Sequence, residues 1–336
     1  MLAALAIPQE DTPSKDAKNK GDKDNDQPVP QEKIHNPVLW QKPDNIPGLD
    51  LFLGQGGEKH KPAPPFTFLE EDMDGTNPKF DANDANDRKW RVKLGEESRP
   101  EVVASRLLWA MGYFVQDDYV MPQADIHGLK MKRGGKFFKG EHITDARFSR
   151  KPSGQKKIGI WEWKKNPFYG TREFNGLRVM VALINDWDLK DVNNAVYEDK
   201  DNDRQIFLVS DTGATFATNS LATSRKKDKG NVDSYRNSKF ITRKTDTEVD
   251  FGTPAPPTGV LFASAGILSS DYMRRKGYDW IGDNIPIDDA RWMGSMLGEL
   301  TREQIADAFR AGNFPPEEIV IYSTIVENRI QELKAL

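Results

Sequence analysis

Short apolar runs of strand period fill the first part of the chain, and runs of helical period dominate its end. Phe66-Thr-Phe-Leu-Glu-Glu71 and Trp90-Arg-Val-Lys93 alternate as half-buried strands do, with a polar stretch, Asp74-Gly-Thr-Asn-Pro-Lys-Phe80, as a loop between them. Arg99 to Gly112 then reads as a helix with Pro100 in its first turn and Gly112 just past its end. Lys136-Phe-Phe138, Ile158 to Trp163 and Ile206 to Ser210 are further strand-like pieces. Phe174 to Ile184 is an apolar helix. Near the end, Asp288 to Leu300 and Thr301 to Ala311 read as helices, the second with Thr301 and Gln304 as a capping box. Pro315 and Pro316 open a last helix whose Ile319, Tyr322, Ile325, Val326, Ile330 and Leu333 form one apolar stripe. Strands gathered early and helices late predict an α+β fold.

Composition adds limits to that picture. From Gln9 to Asn36 the chain is rich in Asp, Lys, Pro and Asn and nearly devoid of apolar residues, so residues 1–36 are expected to be a disordered tail. Met1 to Ile7 is apolar, and Ala4-Leu-Ala6 fits a small-x-small cleavage pattern, but no basic segment precedes it. Both a cytoplasmic and an exported protein fit this start. The formal net charge is −4 over 336 residues, which argues against general nucleic-acid binding. Mean hydropathy is −0.70 and no long apolar span occurs, so no transmembrane segment is expected. Zero cysteines exclude thiolate metal sites, and His35, His60, His127 and His142 have no ligand spacing.

The candidate chemistry lies in Asp188-Leu-Lys-Asp-Val-Asn193, followed by the apolar run Ile206 to Ser210 and by Asp211-Thr-Gly213. An Asp and an Asn at this spacing are also ordinary turn and cap residues. Lys93 would by default be an exposed strand lysine, and Glu101 a first-turn carboxylate favoured by the helix dipole. The order of the pieces carries more than any one of them. A strand, a polar loop, a strand lysine, a helix with an acidic start, an apolar helix, D-L-K-x-x-N, an apolar strand and D-x-G follow one another.

That order resembles the protein-kinase-like superfamily, where H-R-D-L-x-x-x-N and D-F-G carry catalysis. The resemblance implies a two-lobed fold, with a small β-rich N-lobe over residues 37–122 and a larger helical C-lobe over residues 123–336. It implies that Lys93, held by Glu101 or by its rivals Glu96 and Glu97, orients the phosphates of ATP. Gly75, Thr76 and Asn77 would offer backbone and side-chain donors to them. Asn193 and Asp211 would hold Mg2+, Asp188 would take the proton of a hydroxyl acceptor, and Lys190 would neutralise the transferring group. Asp186-Trp187 replaces His-Arg, Thr212 replaces Phe, and the loop has one glycine; a non-catalytic pseudokinase scaffold therefore stands as the alternative. AMP transfer would use the same residues. Whether the acceptor is a protein, a sugar or a lipid is left open.

A literal Asp250-Phe-Gly252 is the rival for the second motif, and Asp211 is preferred because it directly follows the apolar strand. Asp199-Lys-Asp-Asn-Asp203 starts like a calcium loop, but Arg204 stands at the glycine position, so a polar turn is expected. Arg225 to Lys229 is a basic run open to a solvated loop or a phosphate contact, and Trp161 and Trp163 to core packing or an adenine slot. Gly75 to Phe80, Trp90 to Gly95, Ala104 to Tyr113, Asn166 to Glu173, Trp187 to Asn194 and Asp307 to Ala311 also resemble the shared motifs of a bacterial protein group. That likeness supports the organisation and leaves the substrate open.

Overall fold

The computed structural model describes residues 26–75, 77–150, 154–217, 230–252 and 277–336, in a mixed α+β arrangement. A six-stranded sheet runs in the order Lys89–Lys93, Lys79–Asn83, Phe66–Asp72, Asp117–His127, His142–Arg150, Phe138–Lys139. It closes on itself, because His142–Arg150 also pairs antiparallel with Lys89–Lys93. Closure leaves few backbone groups unpaired at an edge. Phe66, Phe80, Trp90, Val92, Ile126 and Phe148 fill its interior, each 0–1% exposed.

Closure also fixes a register that matters below. Lys93 lies opposite Arg147. Two cations facing each other across a ladder repel unless an anion stands between them.

Ser98–Ala110 is the helix that packs against this sheet, and its Val103, Leu107 and Leu108 join a second apolar core built from the helices. At the centre of that core lies Arg172–Leu183, N-capped by Thr171, whose side chain accepts from the Phe174 N–H. Ile287–Leu297 packs against it, Pro316–Lys334 packs on both Ile287–Leu297 and Arg302–Ala311, and Arg302–Ala311 packs on Ser98–Ala110. The Thr301/Gln304 capping box forms as the sequence predicts. The stripe of the last helix is inside at Ile319, Tyr322, Val326, Ile330 and Leu333.

A four-stranded sheet, Pro37–Val38, Arg204–Val209, Asn194–Asp199 and Lys156–Gly159, and a three-stranded one, Ile241–Lys244, Glu248–Phe251 and Ile285–Pro286, complete the described residues. Arg204–Val209 and Asn194–Asp199 form an antiparallel hairpin. Its ends deliver Asn193 and Asp211 to the same side.

Several expectations change. The division after Pro122 falls inside the strand Asp117–His127, whose pairing with the strand His142–Arg150 runs from Asp117 to Asp125. The sheet therefore ends at Arg150. Residues 26–36 are part of the fold rather than of a tail: Val29 N–H bonds Ile160 O at 3.0 Å, Asn36 Nδ2 bonds Asp203 O at 2.9 Å, and His35 Nε2 meets Glu198 Oε1 at 3.1 Å. Backbone and polar side-chain bonds hold the segment, and Val29 and Ile34 pack against the helical core. The strand expected over Ile158 to Trp163 covers Lys156–Gly159, and the one expected over Lys136 to Phe138 covers Phe138–Lys139. Trp161 and Trp163 are core residues, 3% and 1% exposed, packed edge to face at 4.9 Å. Met1 to Ile7 and Arg225 to Lys229 lie outside the described residues. No helix among those described is long and apolar enough to cross a membrane.

Candidate active site

Lys93 ends its strand with its side chain turned under the helix Ser98–Ala110, where it is 6% exposed. Its ammonium meets Glu97 Oε2 at 2.6 Å, Asp211 Oδ1 at 2.7 Å and Glu101 Oε2 at 3.1 Å. Burial opposes its charge, but Asp211, Glu101 and Glu97 outweigh that and hold Lys93 above the ordinary lysine value. The two helix carboxylates differ in kind. Glu101 is 1% exposed, and its other oxygen takes Arg147 Nη1 at 2.6 Å, so it is the anion that separates the facing cations. Glu97 lies nearer the surface and also accepts from Asn77 Nδ2, which ties the polar turn before Lys79 to the helix.

Asp118 completes the cluster. It meets Arg147 at 3.5 Å and accepts from Ser105 Oγ at 2.8 Å. Four carboxylates, Glu97, Glu101, Asp118 and Asp211, thus surround two cations, Lys93 and Arg147. Burial raises the Glu101 carboxyl to about 7, against the pull of Arg147 and Lys93 and with the help of Asp211 and Asp118.

Asp211 opens its turn in the left-handed region, φ +53°, and its side chain is 47% exposed. Gly213 follows because a Cβ there would stand 2.6 Å from Glu97 Cβ; the turn passes too close to the helix for a side chain. Trp187 N–H bonds Ala214 O at 3.3 Å, which joins this turn to the Asp188 loop.

In that loop Lys190 Nζ stands 3.1 Å from Asp188 Oδ1, and Asn193 Nδ2 donates to Asp188 O at 2.6 Å. Ser210 N–H and Oγ both donate to Asn193 O, at 3.1 and 2.7 Å. Asp191 is fixed from two sides, by Trp163 N–H at 2.9 Å and Tyr278 O–H at 2.8 Å. Asp186 is buried and accepts the Asp188 N–H at 3.0 Å. Burial raises its carboxyl well above the usual range, against the Asp188 N–H, with the charges of Asp188 and Asp211 adding to the rise.

The sequence-predicted residues thus fall into two groups. Lys93, Glu101 and Asp211 touch, with Asn77 linked to them through Glu97. Asp188, Lys190 and Asn193 touch one another and are held to the Asp211 turn through backbone bonds. Gly75 has φ +67°, and its carbonyl accepts from Arg133; Thr76 lies outside the described residues. Glu97, a rival for the Lys93 pairing, makes a shorter contact than Glu101, so both carboxylates hold the lysine. Asp250 belongs elsewhere, in the strand Glu248–Phe251, where it pairs with Arg243 and accepts Asn284 N–H at 2.7 Å. Arg147 and Asp118 were not singled out from the sequence, and Asp186 entered only as part of the pair that replaces His-Arg. An arginine within the alternating run Ile143 to Phe148 is the one sign of the first.

No protein-family model matches this chain, and no curated protein matches it. Among solved structures, the Helicobacter pylori proinflammatory kinase CtkA aligns with TM-score 0.43 and 12% identity over 80% of this chain and 93% of its own. The Golgi casein kinase aligns with TM-score 0.39 and 10% identity over 86% of this chain and 75% of its own.

Proposed function

We propose that this chain is a kinase-like phosphotransferase that moves a phosphoryl group from ATP to a hydroxyl acceptor with Mg2+. The observation that carries the proposal is the pairing of Lys93 with a helix carboxylate and, at the same time, with Asp211 at the end of another sheet. On this reading the closed sheet and the helix Ser98–Ala110 form the smaller lobe, ending near Arg150, and the residues from Gly154 onward form the larger one.

The donor set fits magnesium, which prefers oxygen ligands. Asp211 has an accessible carboxylate, and Asn193 spends its amide N–H on Asp188 O, which leaves its Oδ1 for a cation. Asn193 and Asp211 would hold the ion, which would supply positive charge against that of the phosphates. Lys93 gives the phosphates a positioned ammonium. Its charged state is secured by three carboxylates, and Glu101 keeps its side chain extended from the strand. Asp188 accepts the proton of the acceptor hydroxyl or orients it, and Lys190, beside it, offsets the charge on the transferring group. Gly75, Thr76 and Asn77 supply donors from the turn.

A second reading, a non-catalytic kinase-like scaffold, is favoured by the Lys93–Asp211 contact itself. It occupies a carboxylate oxygen that a metal would need. AMP transfer would use the same groups, and analysis of products from labelled ATP separates it from phosphorylation.

Thermal shift with ATP and MgCl2 tests the proposal. Wild type should be stabilised by the two together, and Asp211→Ala should lose that gain. A wild-type protein unmoved by any nucleotide and metal combination would rule out the phosphotransferase and leave the scaffold.

A further inference from the structure

The loop from Gly128 to Phe137, between two strands of the closed sheet, lies across the turn that precedes Lys79. Its Arg133 guanidinium donates to the carbonyls of Asp72 at 2.6 Å and Gly75 at 2.8 Å. The N–H groups of Lys132 and Arg133 donate to the Glu71 carboxylate, at 2.6 and 3.1 Å. Gly134 has φ +78°, and a Cβ on it would come within 2.6 Å of Pro78 Cβ, so the loop backbone lies close against the Pro78 ring. Beyond this junction Gly134, Gly135 and Lys136 share with Asn77 and Glu97 the lining of a cleft of about 490 Å³. Glu97 is also a carboxylate that meets Lys93, so one wall of the cleft is shared with the Lys93 cluster. Lys136 is exposed; its ammonium stands 4.5 Å from the Phe137 ring, with no carboxylate partner among the described residues.

We propose that this loop is a strap that completes the phosphate-binding face: Arg133 positions the Asp72–Gly75 turn, and Lys136 with the Gly134–Gly135 backbone contacts the polyphosphate of a nucleotide. The inference rests on the phosphotransferase reading and deepens it. The turn alone has a single glycine and so few backbone N–H groups free to approach an anion closely. The strap brings two more glycines and a point cation to the same cleft. A guanidinium whose Nη1 and Nη2 both donate to carbonyls of the turn serves as a latch on it.

The test combines hydrogen–deuterium exchange of the peptide from Asp72 to Lys79 in nucleotide-free protein with equilibrium binding of magnesium-ATP and of adenosine. Wild type, Arg133→Ala, Arg133→Lys and Lys136→Ala are compared. Both Arg133 variants should speed exchange at the turn by about tenfold, because local opening loses its latch. Lys136→Ala should leave exchange unchanged and weaken ATP by about five- to tenfold, with adenosine unaffected, since only a charge-assisted phosphate contact is lost. Unchanged exchange in both Arg133 variants overturns the positioning role. Equal ATP affinity of wild type and Lys136→Ala, or a matching loss for adenosine, overturns the phosphate contact. If wild type binds neither compound, the phosphotransferase reading falls and the phosphate contact with it, and the exchange result still decides the role of Arg133.

Discussion

At the residue scale, the burial of Glu101, which outweighs the pull of Arg147 and Lys93, sets the response of the cluster to pH. Glu101 is raised to about 7 from an ordinary glutamate value, so the folded state binds its proton more tightly than the unfolded chain does. Its stabilising contribution is complete below the unfolded pKa and is lost as pH rises through about 7. Nucleotide-free protein should therefore lose stability between about pH 4.5 and 7, and Glu101→Gln should flatten that slope in urea unfolding followed across this range. A slope identical in the variant would mean that Glu101 is ionised throughout. The residue types were legible in the sequence: a strand lysine, a first-turn glutamate, D-L-K-x-x-N and D-x-G. What makes the lysine more than an exposed strand residue is its burial against Glu97, Glu101 and Asp211, the last of them 118 positions away in the chain.

At the scale of elements, the hairpin that presents Lys93 is held by Asp84 in its connection. Its carboxylate accepts from Trp90 Nε1 at 3.0 Å, Arg88 Nε at 2.8 Å, and the N–H groups of Asn86 and Arg88 at 2.9 and 3.1 Å. Burial raises its pKa, but the Arg88 and Trp90 hydrogen bonds outweigh this and hold it below the usual value. The sign is opposite to that of Glu101: stability is present above the unfolded aspartate pKa and is lost as pH falls through the folded one. Asp84→Ala should cost about 2 kcal/mol at pH 7, measured by chemical denaturation, because it leaves buried donors unpaired. Asp84→Asn should make unfolding less steep in acid. Of the strands on either side, the second was readable from the alternation of Trp90 to Lys93, whereas Lys79–Asn83 begins inside the stretch read as a loop; the capping box of Arg302–Ala311 was readable from Thr301 and Gln304. The role of Asp84 was not, since one Asp among the Asx residues of a turn gives no sign of which donors will converge on it.

At the scale of the molecule, the last helix secures the base of the Asp188 loop. Arg329, 2% exposed, donates from Nη1 to Leu183 O at 2.8 Å and Asn185 Oδ1 at 3.0 Å, and from Nη2 to Tyr235 O at 3.2 Å. Its guanidinium carbon stands 4.0 Å from the centre of the Tyr235 ring. One side chain thus joins the end of the central helix, the short helix Val232–Asn237 and the chain's final helix. Arg329→Ala should destabilise by about 3 kcal/mol or more, since several buried acceptors lose a charged donor together. Denaturation with far-ultraviolet circular dichroism checks this. A loss under about 1 kcal/mol would mean that water replaces the guanidinium and that the buried network is not a keystone.

The sequence by itself determined the main helices, Ser98–Ala110, Arg172–Leu183, Arg302–Ala311 and Pro316–Lys334 among them, because helical periodicity, caps and glycine positions are written in neighbouring residues. It also determined the order in which the Lys93, Asp188 and Asp211 segments occur. Only the tertiary structure decided which carboxylate holds the lysine, that the sheet closes and continues to Arg150, and that residues 26–36 join the fold. Those outcomes depend on pairings between segments far apart in the chain, such as Lys93 with Arg147 and Val29 with Ile160. Burial and charge compensation act through such pairings, and no window of neighbouring residues contains both partners.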